Sequence, residues 1–263
     1  MYNATLFAKS NYQSTRDSNL YLEEYASKIQ WKKNNSRILD VGCGDGNVTN
    51  LLKKYIPTDY KLVGCDISEN MVNYANDHHC NKQTSFTVLD IAGELPEGMK
   101  GNFDHVFSFY TLHWIINQER AFNNIYNLLE EDGECFLIFL GWAAYFDVYR
   151  VLASNNKWSA WVKDVERYVS PYHDSKEPEK EIGKMMEKIG FVDLDVECKD
   201  MVFVYDDIHM LKNLLTAINP FTIPKELYDD FMKDYIEILN ELQNTDNYYL
   251  ILIFFCNFVS TAQ

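Results

Sequence analysis

The chain has 263 residues, enough for one large α/β domain with a full hydrophobic core. Lys and Arg number 24 against 39 Asp and Glu, so the formal net charge is −15. So acidic a surface repels a phosphate backbone, and we expect no nucleic-acid partner. The six cysteines show no C-x-x-C pair or zinc-ligand spacing, which predicts no metal site and a reducing, cytoplasmic compartment.

Apolar runs alternate with amphipathic segments along most of the chain, which predicts a mostly parallel sheet flanked by helices. The first five predicted strands span residues 38–41, 61–65, 85–88, 105–109 and 135–140. Helices are predicted over residues 17–29, 48–55, 122–129, 179–189, 210–215 and 228–242, with one more starting after Ser68. A long arm at 191–205 and a last strand at 249–258 complete a predicted seven-stranded sheet. The first residues lack the apolar core of a signal peptide, and the apolar run 248–259 is too short to span a bilayer.

The regular alternation stops at Gly141. Residues 141–175 carry many aromatic side chains without a strand pattern: Trp142, Tyr145, Phe146, Trp158, Trp161 and Tyr168. We interpret this segment as a helical substrate lid inserted in a single domain that spans residues 1–263. The alternative is an ordinary pair of packing helices.

Three alternating glycines follow the first predicted strand, at Gly42, Gly44 and Gly46. A strand, a glycine turn and a helix form the usual cradle for a nucleotide-like ligand, because glycine lets the ligand approach the backbone. A dinucleotide fingerprint would need a third glycine at Asn47, and a P-loop would need a lysine that is absent. Asp40 and Asp45 repel a pyrophosphate and favour a cationic ligand. S-adenosylmethionine fits, since it carries a sulfonium, an ammonium and a single carboxylate; a glycine turn without a ligand is the alternative.

Acidic residues end the next two predicted strands, where ligands bind in open α/β sheets. Asp66 lies 20 residues after Gly46 and is placed to accept both ribose hydroxyls. Asp90 is placed to accept the adenine amine, with Ile67 and Ile91 flanking the ring. The predicted cofactor-binding residues are Asp40, Gly42, Gly44, Asp45, Asp66, Ile67, Asp90, Ile91 and Ser108, the last near the methionine part.

The site for a substrate that accepts the methyl group of S-adenosylmethionine is predicted from residues 107–114. These residues lack the Pro-Pro-aromatic pattern of enzymes that methylate amino groups. Trp114 offers an indole N–H that only donates, and Gln13 offers an amide with two N–H donors. Such a pair suits the oxygen anion of a carboxylate. Tyr110 and His113 complete the predicted substrate site. A carboxylate is already ionised at neutral pH, so no general base is expected.

The block Asp40–Gly46 resembles the first motif of class I S-adenosylmethionine-dependent methyltransferases. Narrower runs resemble insect juvenile hormone acid O-methyltransferases: residues 12–17, 63–68, 104–114, 146–150, 170–174 and 217–221. The resemblance implies a Rossmann-like fold and methylation of juvenile hormone acid or farnesoic acid in juvenile hormone biosynthesis, with S-adenosylhomocysteine as product. It also implies that Gln13 and Trp114 hold the substrate carboxylate. Whether the chain forms a homodimer stays open.

Two other functions compete with this interpretation. The first is a carboxyl methyltransferase for another small acid, such as a fatty or dicarboxylic acid. A diacid would need a cation, and only Arg150 and Arg167 stand out in the predicted lid. The second is a protein that binds S-adenosylmethionine without catalysis.

Overall fold

Five parallel strands form the centre of the computed structural model, which describes residues 3–243 and 249–262. They are β1 (Ser36–Val41), β2 (Tyr60–Asp66), β3 (Thr84–Val88), β4 (Phe103–Phe109) and β5 (Leu129–Ala143). Their order across the sheet is β3-β2-β1-β4-β5. Successive residues of β5 pack alternately into two hydrophobic clusters, with Phe136 and Ile138 in one and Leu137 and Phe139 in the other. Helices cover both faces, which explains why the strands are apolar throughout.

Three further strands extend the sheet beyond β5: β6 (Phe191–Val192), β7 (Glu197–Tyr205) and β8 (Tyr249–Ala262). β8 pairs antiparallel with β5, and β6 and β7 follow one another along the other edge of β8. The predicted fold class is confirmed, but the predicted number of seven strands differs from the eight found in the described residues. The predicted arm 191–205 is interrupted because Asp193 adopts a left-handed conformation (φ +53°) between β6 and β7.

Nine α-helices lie in the described part of the chain. They are α1 (Ala4–Ser10), α2 (Tyr12–Tyr25), α3 (Asn47–Leu52), α4 (Glu69–His79), α5 (Gln118–Leu128), α6 (Ala144–Ser154), α7 (Pro178–Ile189), α8 (Ile208–Ile218) and α9 (Tyr228–Gln243). The sequence did not predict α1, and α2 begins at Tyr12 rather than Asp17. The first turn of α2 is polar and shows no apolar periodicity, although Gln13 is buried there. No helix of residues 3–243 has the length and apolar character needed to cross a membrane.

The predicted lid begins inside a strand, because β5 continues to Ala143. Beyond it lie α6 and a stretch of turns that includes a 3₁₀ turn at Val165–Arg167. Phe146 and Trp158 are fully buried in the main hydrophobic cluster, and the Trp158 indole donates to Asp234 (2.8 Å). These side chains act as packing residues. The segment's function as a lid stays a prediction.

Candidate active site

The glycine turn has the conformation that its residue types suggest. Gly42, Gly44 and Gly46 have φ angles of +74°, +52° and +83°, in the left-handed region that favours glycine. A Cβ atom on Gly42 would lie 2.0 Å from Oγ1 of Thr111, whose hydroxyl donates to the Gly42 carbonyl (3.0 Å). The turn therefore packs directly against the loop that follows β4.

A cavity of about 480 Å³ opens at the carboxyl ends of β1, β2 and β4, a volume within the usual range for small-molecule sites. Every predicted cofactor residue except Ser108 lines it. The sequence missed lining residues on α1–α2 and after β4, namely Phe7, Asn11, Ser14 and Thr111. Trp114, predicted for the substrate site, and Arg167 and Tyr168, from the predicted lid, also line the cavity.

The prediction for Ser108 is wrong. Its side chain is fully buried, and its hydroxyl donates to the Val41 carbonyl (2.8 Å) between neighbouring strands. β4 ends at Phe109, as predicted, and Ser108 lies inside the strand, one residue before that end. The residues that reach the cavity are Phe109, Tyr110 and Thr111.

The buried carboxylates that line the cavity favour a cationic ligand. Burial raises the pKa of Asp40 to about 7; the Asp66 carboxylate adds to the rise and the Thr49 hydroxyl opposes it. Burial also raises the pKa of Asp45 to about 6, against hydrogen bonds from Asn47 and Asn11. Carboxylates with raised pKa values and no cationic partner favour a positively charged ligand.

Asp66 has acceptor capacity left for a diol. Its two oxygens accept from the backbone N–H groups of Gly44 (3.0 Å) and Ser68 (2.8 Å). A carboxylate offers about four acceptor positions, so each oxygen retains one for a ribose hydroxyl. These free acceptor positions, together with the raised pKa values of Asp40 and Asp45, fit S-adenosylmethionine.

We expect Asp66→Ala to weaken S-adenosylmethionine binding by at least about 100-fold. The substitution removes two hydrogen bonds to a charged acceptor and leaves the Gly44 amide unpaired, and such bonds contribute about 1.5–3 kcal/mol each. Isothermal titration calorimetry measures the effect. Asp200→Ala, at an exposed position on β7, is the matched control. Unchanged affinity in Asp66→Ala would remove this residue from the ligand contacts.

A second, smaller cavity of about 60 Å³ adjoins the first. The wall between them is formed by the residues that line both: Phe7, Ser14, Tyr110, Trp114 and Ile218. The predicted substrate residues Gln13, Tyr110, His113 and Trp114 all line the smaller cavity. The rest of its lining is mostly apolar: Phe7, Ser14, Leu140, Tyr145, Leu214 and Ile218. We call this smaller cavity the acid pocket.

Two N–H donors at the acid pocket lack acceptors. Gln13 is buried, and its Nε2 has no hydrogen-bond partner within 3.5 Å among the described residues. The Trp114 side chain is partly buried, and its indole N–H donates to none of residues 3–243. A donor without a partner is unfavourable where it is shielded from water, so both groups favour a ligand with acceptor oxygens.

His113 supplies polarity but no charge. The backbone N–H of Leu140 donates to Nδ1 (3.3 Å), so the neutral ring carries its proton on Nε2. Burial lowers the pKa of His113 to about 3, which keeps the ring neutral at physiological pH. It therefore adds no charge to an acid bound beside it.

Tyr110 is held in place by a residue that sequence reasoning did not select. Its φ of +55° is unusual for a side chain of this size, and its hydroxyl donates to Asp17 (2.8 Å). Asp17 is fully buried; burial raises its pKa, while the neighbouring Tyr110, Arg16 and Gln13 side chains oppose the rise. Gln13 and Asp17 lie one helical turn apart, so the sequence could have predicted that both side chains are on the same face of a helix.

Known proteins are similar to this chain both around the glycine turn and over most of its length. A family model described as "Methyltransferase domain" matches residues 39–137. The chain is 54% identical to the juvenile hormone acid O-methyltransferase of Bombyx mori, over 94% of this chain and 89% of that protein. It is 43% identical to the enzyme of the same name from Drosophila melanogaster, over 91% and 83%. A putative methyltransferase structure from Bacillus halodurans has the same fold (TM-score 0.61, 17% identity, covering 91% of this chain and 97% of that chain).

Proposed function

Because the chain belongs to the juvenile hormone acid O-methyltransferase family, we propose that it esterifies the carboxylate of a terpenoid acid such as juvenile hormone acid or farnesoic acid. It is an S-adenosylmethionine-dependent carboxyl O-methyltransferase. One observation carries the choice of acceptor. The unpaired N–H groups of Gln13 and Trp114 belong to a mostly apolar pocket that shares a wall with the acidic cofactor cavity.

The proposed chemistry requires positioning rather than proton transfer. S-adenosylmethionine supplies a methyl group on a positively charged sulfur. The acid is ionised at neutral pH, so it is already a nucleophile. Gln13 and Trp114 would donate to the carboxylate and fix its orientation. Alignment of the carboxylate oxygen with the methyl group supplies most of the catalysis that such a displacement requires. The apolar lining of the acid pocket excludes water and strengthens these hydrogen bonds.

The charges around the site favour an acid with one carboxylate. Arg150 is paired with both Glu166 (2.8 Å) and Asp174 (2.7 Å), so it is not free for a substrate. Arg167 lines the cofactor cavity and not the acid pocket. A second carboxylate would therefore find no cation among the described residues of the acid pocket.

The size of the acid pocket defines what it holds. About 60 Å³ is room for a carboxylate head and not for a sesquiterpenoid tail. We propose that the tail displaces apolar side chains of the lining, Leu214 and Ile218 of α8 and Phe7 of α1. Burial of apolar tail surface contributes about 25 cal/mol per Å², enough to offset such a rearrangement.

Steady-state kinetics with three acids test the proposed substrate class. We expect kcat/KM to be at least about 100-fold higher for farnesoic acid than for a short dicarboxylic acid, because each buried methylene contributes about 0.8 kcal/mol. A saturated fatty acid of similar length separates tail length from terpenoid shape. A preference for the diacid would contradict the proposal.

A further inference from the structure

Tyr205 contacts the side chain that the proposed reaction depends on. It is the last residue of β7 and is 2% exposed. Its hydroxyl donates to Oε1 of Gln13 at 3.2 Å. The two residues are 192 positions apart, so only the fold brings them together. Tyr205 lines neither the acid pocket nor the cofactor cavity.

The contact selects one orientation of the Gln13 amide. A primary amide has an acceptor end and a donor end, and a half-turn of the terminal group exchanges them. With Oε1 bound to the Tyr205 hydroxyl, the free donor Nε2 is left for the acid pocket. In the reversed orientation, the amide oxygen would meet the substrate carboxylate, which is unfavourable because both are acceptors.

Tyr205 resists that reversal for two reasons. Burial raises the pKa of its phenol, so the hydroxyl keeps its proton. Among the described residues, that hydroxyl donates to Gln13 alone, and a reversed amide would leave a buried O–H unpaired. The ring also packs against Phe203 (centroids 4.6 Å apart), which restricts its movement.

We propose that Tyr205 is a positioning residue that holds the Gln13 amide with Nε2 facing the substrate carboxylate. The proposal rests on the proposed function, since it gives Gln13 the task of donating to that carboxylate. Tyr205 itself touches neither substrate nor cofactor.

The test is a double-mutant cycle measured with farnesoic acid. We expect Tyr205→Phe to lower kcat/KM about 3- to 10-fold, mainly through a higher KM, with unchanged affinity for S-adenosylmethionine. In a Gln13→Ala background, Tyr205→Phe should cause no further loss, because no amide remains to be oriented. Tyr235→Phe, at a buried tyrosine of α9 that lines neither cavity, is the matched control and should leave kcat/KM unchanged.

The outcomes separate this inference from the function on which it rests. Full activity of Gln13→Ala would overturn the donor function of Gln13 and the inference with it. Impaired Gln13→Ala with fully active Tyr205→Phe would overturn the inference alone. An equal loss from Tyr205→Phe in both backgrounds would also overturn it, because Tyr205 would then act elsewhere. Rates normalised to the fraction that binds S-adenosylmethionine remove any contribution from misfolded protein.

Discussion

The double variant Gln13→Ala/Trp114→Phe is expected to lose about 10³-fold in kcat/KM for a terpenoid acid. Each side chain would donate one hydrogen bond to a buried carboxylate, and bonds to charged groups contribute about 1.5–3 kcal/mol. Loss of both removes the two proposed donors from a mostly apolar pocket, and about 4 kcal/mol corresponds to 10³-fold. S-adenosylmethionine affinity should change less than about 3-fold, because phenylalanine preserves the wall that Trp114 forms.

Steady-state kinetics on the double variant and both single variants measure this effect. Trp161→Phe is a matched control, because Trp161 is a partly buried tryptophan that lines neither cavity. The single variants should each lose about 10- to 100-fold. A double variant within 3-fold of the natural protein would show that the substrate carboxylate binds elsewhere.

Gly42→Ala is expected to abolish S-adenosylmethionine binding at concentrations 100-fold above the natural dissociation constant. The new Cβ would lie 2.0 Å from the Thr111 hydroxyl oxygen, and the φ of +74° would itself strain any residue with a side chain. The turn and the loop after β4 would have to separate. Both line the cofactor cavity, so the cavity would change shape.

Two comparison variants make the Gly42→Ala result specific. Gly183→Ala makes the same chemical change in α7, where a Cβ meets no atom within 4 Å, and it should stabilise the protein by about 0.5–1 kcal/mol. Adding Thr111→Gly to Gly42→Ala removes the clashing side chain and should restore part of the binding. Normal binding by Gly42→Ala would contradict the assigned turn geometry. Calorimetry and thermal unfolding together separate lost binding from lost folding.

The sequence predicts the sheet and most of the cofactor cavity because both depend on local patterns. Strand periodicity and glycine spacing are visible within a few residues, and Asp40, Asp66 and Asp90 follow from where strands end. Ser108 shows the limit of such reasoning. The end of β4 is predicted correctly, but the sequence does not show that the Ser108 side chain is buried and donates to Val41 inside the sheet.

The surroundings of the acid pocket depend on contacts that no local pattern shows. Gln13 was selected as a donor, but the bond that leaves its Nε2 free comes from Tyr205, on a strand far along the chain. The sequence did not predict α1, although Phe7 of this helix lines both cavities. The aromatic residues of 141–175 suggested a substrate cover, yet Phe146 and Trp158 are fully buried packing residues. An aromatic side chain gives the same sequence signal in a core and in a pocket.

Transfer of a labelled methyl group tests the central claim most directly. The protein is incubated with methyl-labelled S-adenosylmethionine and farnesoic acid, and the organic extract is analysed by mass spectrometry. The account predicts labelled methyl farnesoate from the natural protein and a rate about 10³-fold lower from Gln13→Ala/Trp114→Phe. Absence of labelled ester from natural protein that calorimetry shows to bind S-adenosylmethionine would contradict the account.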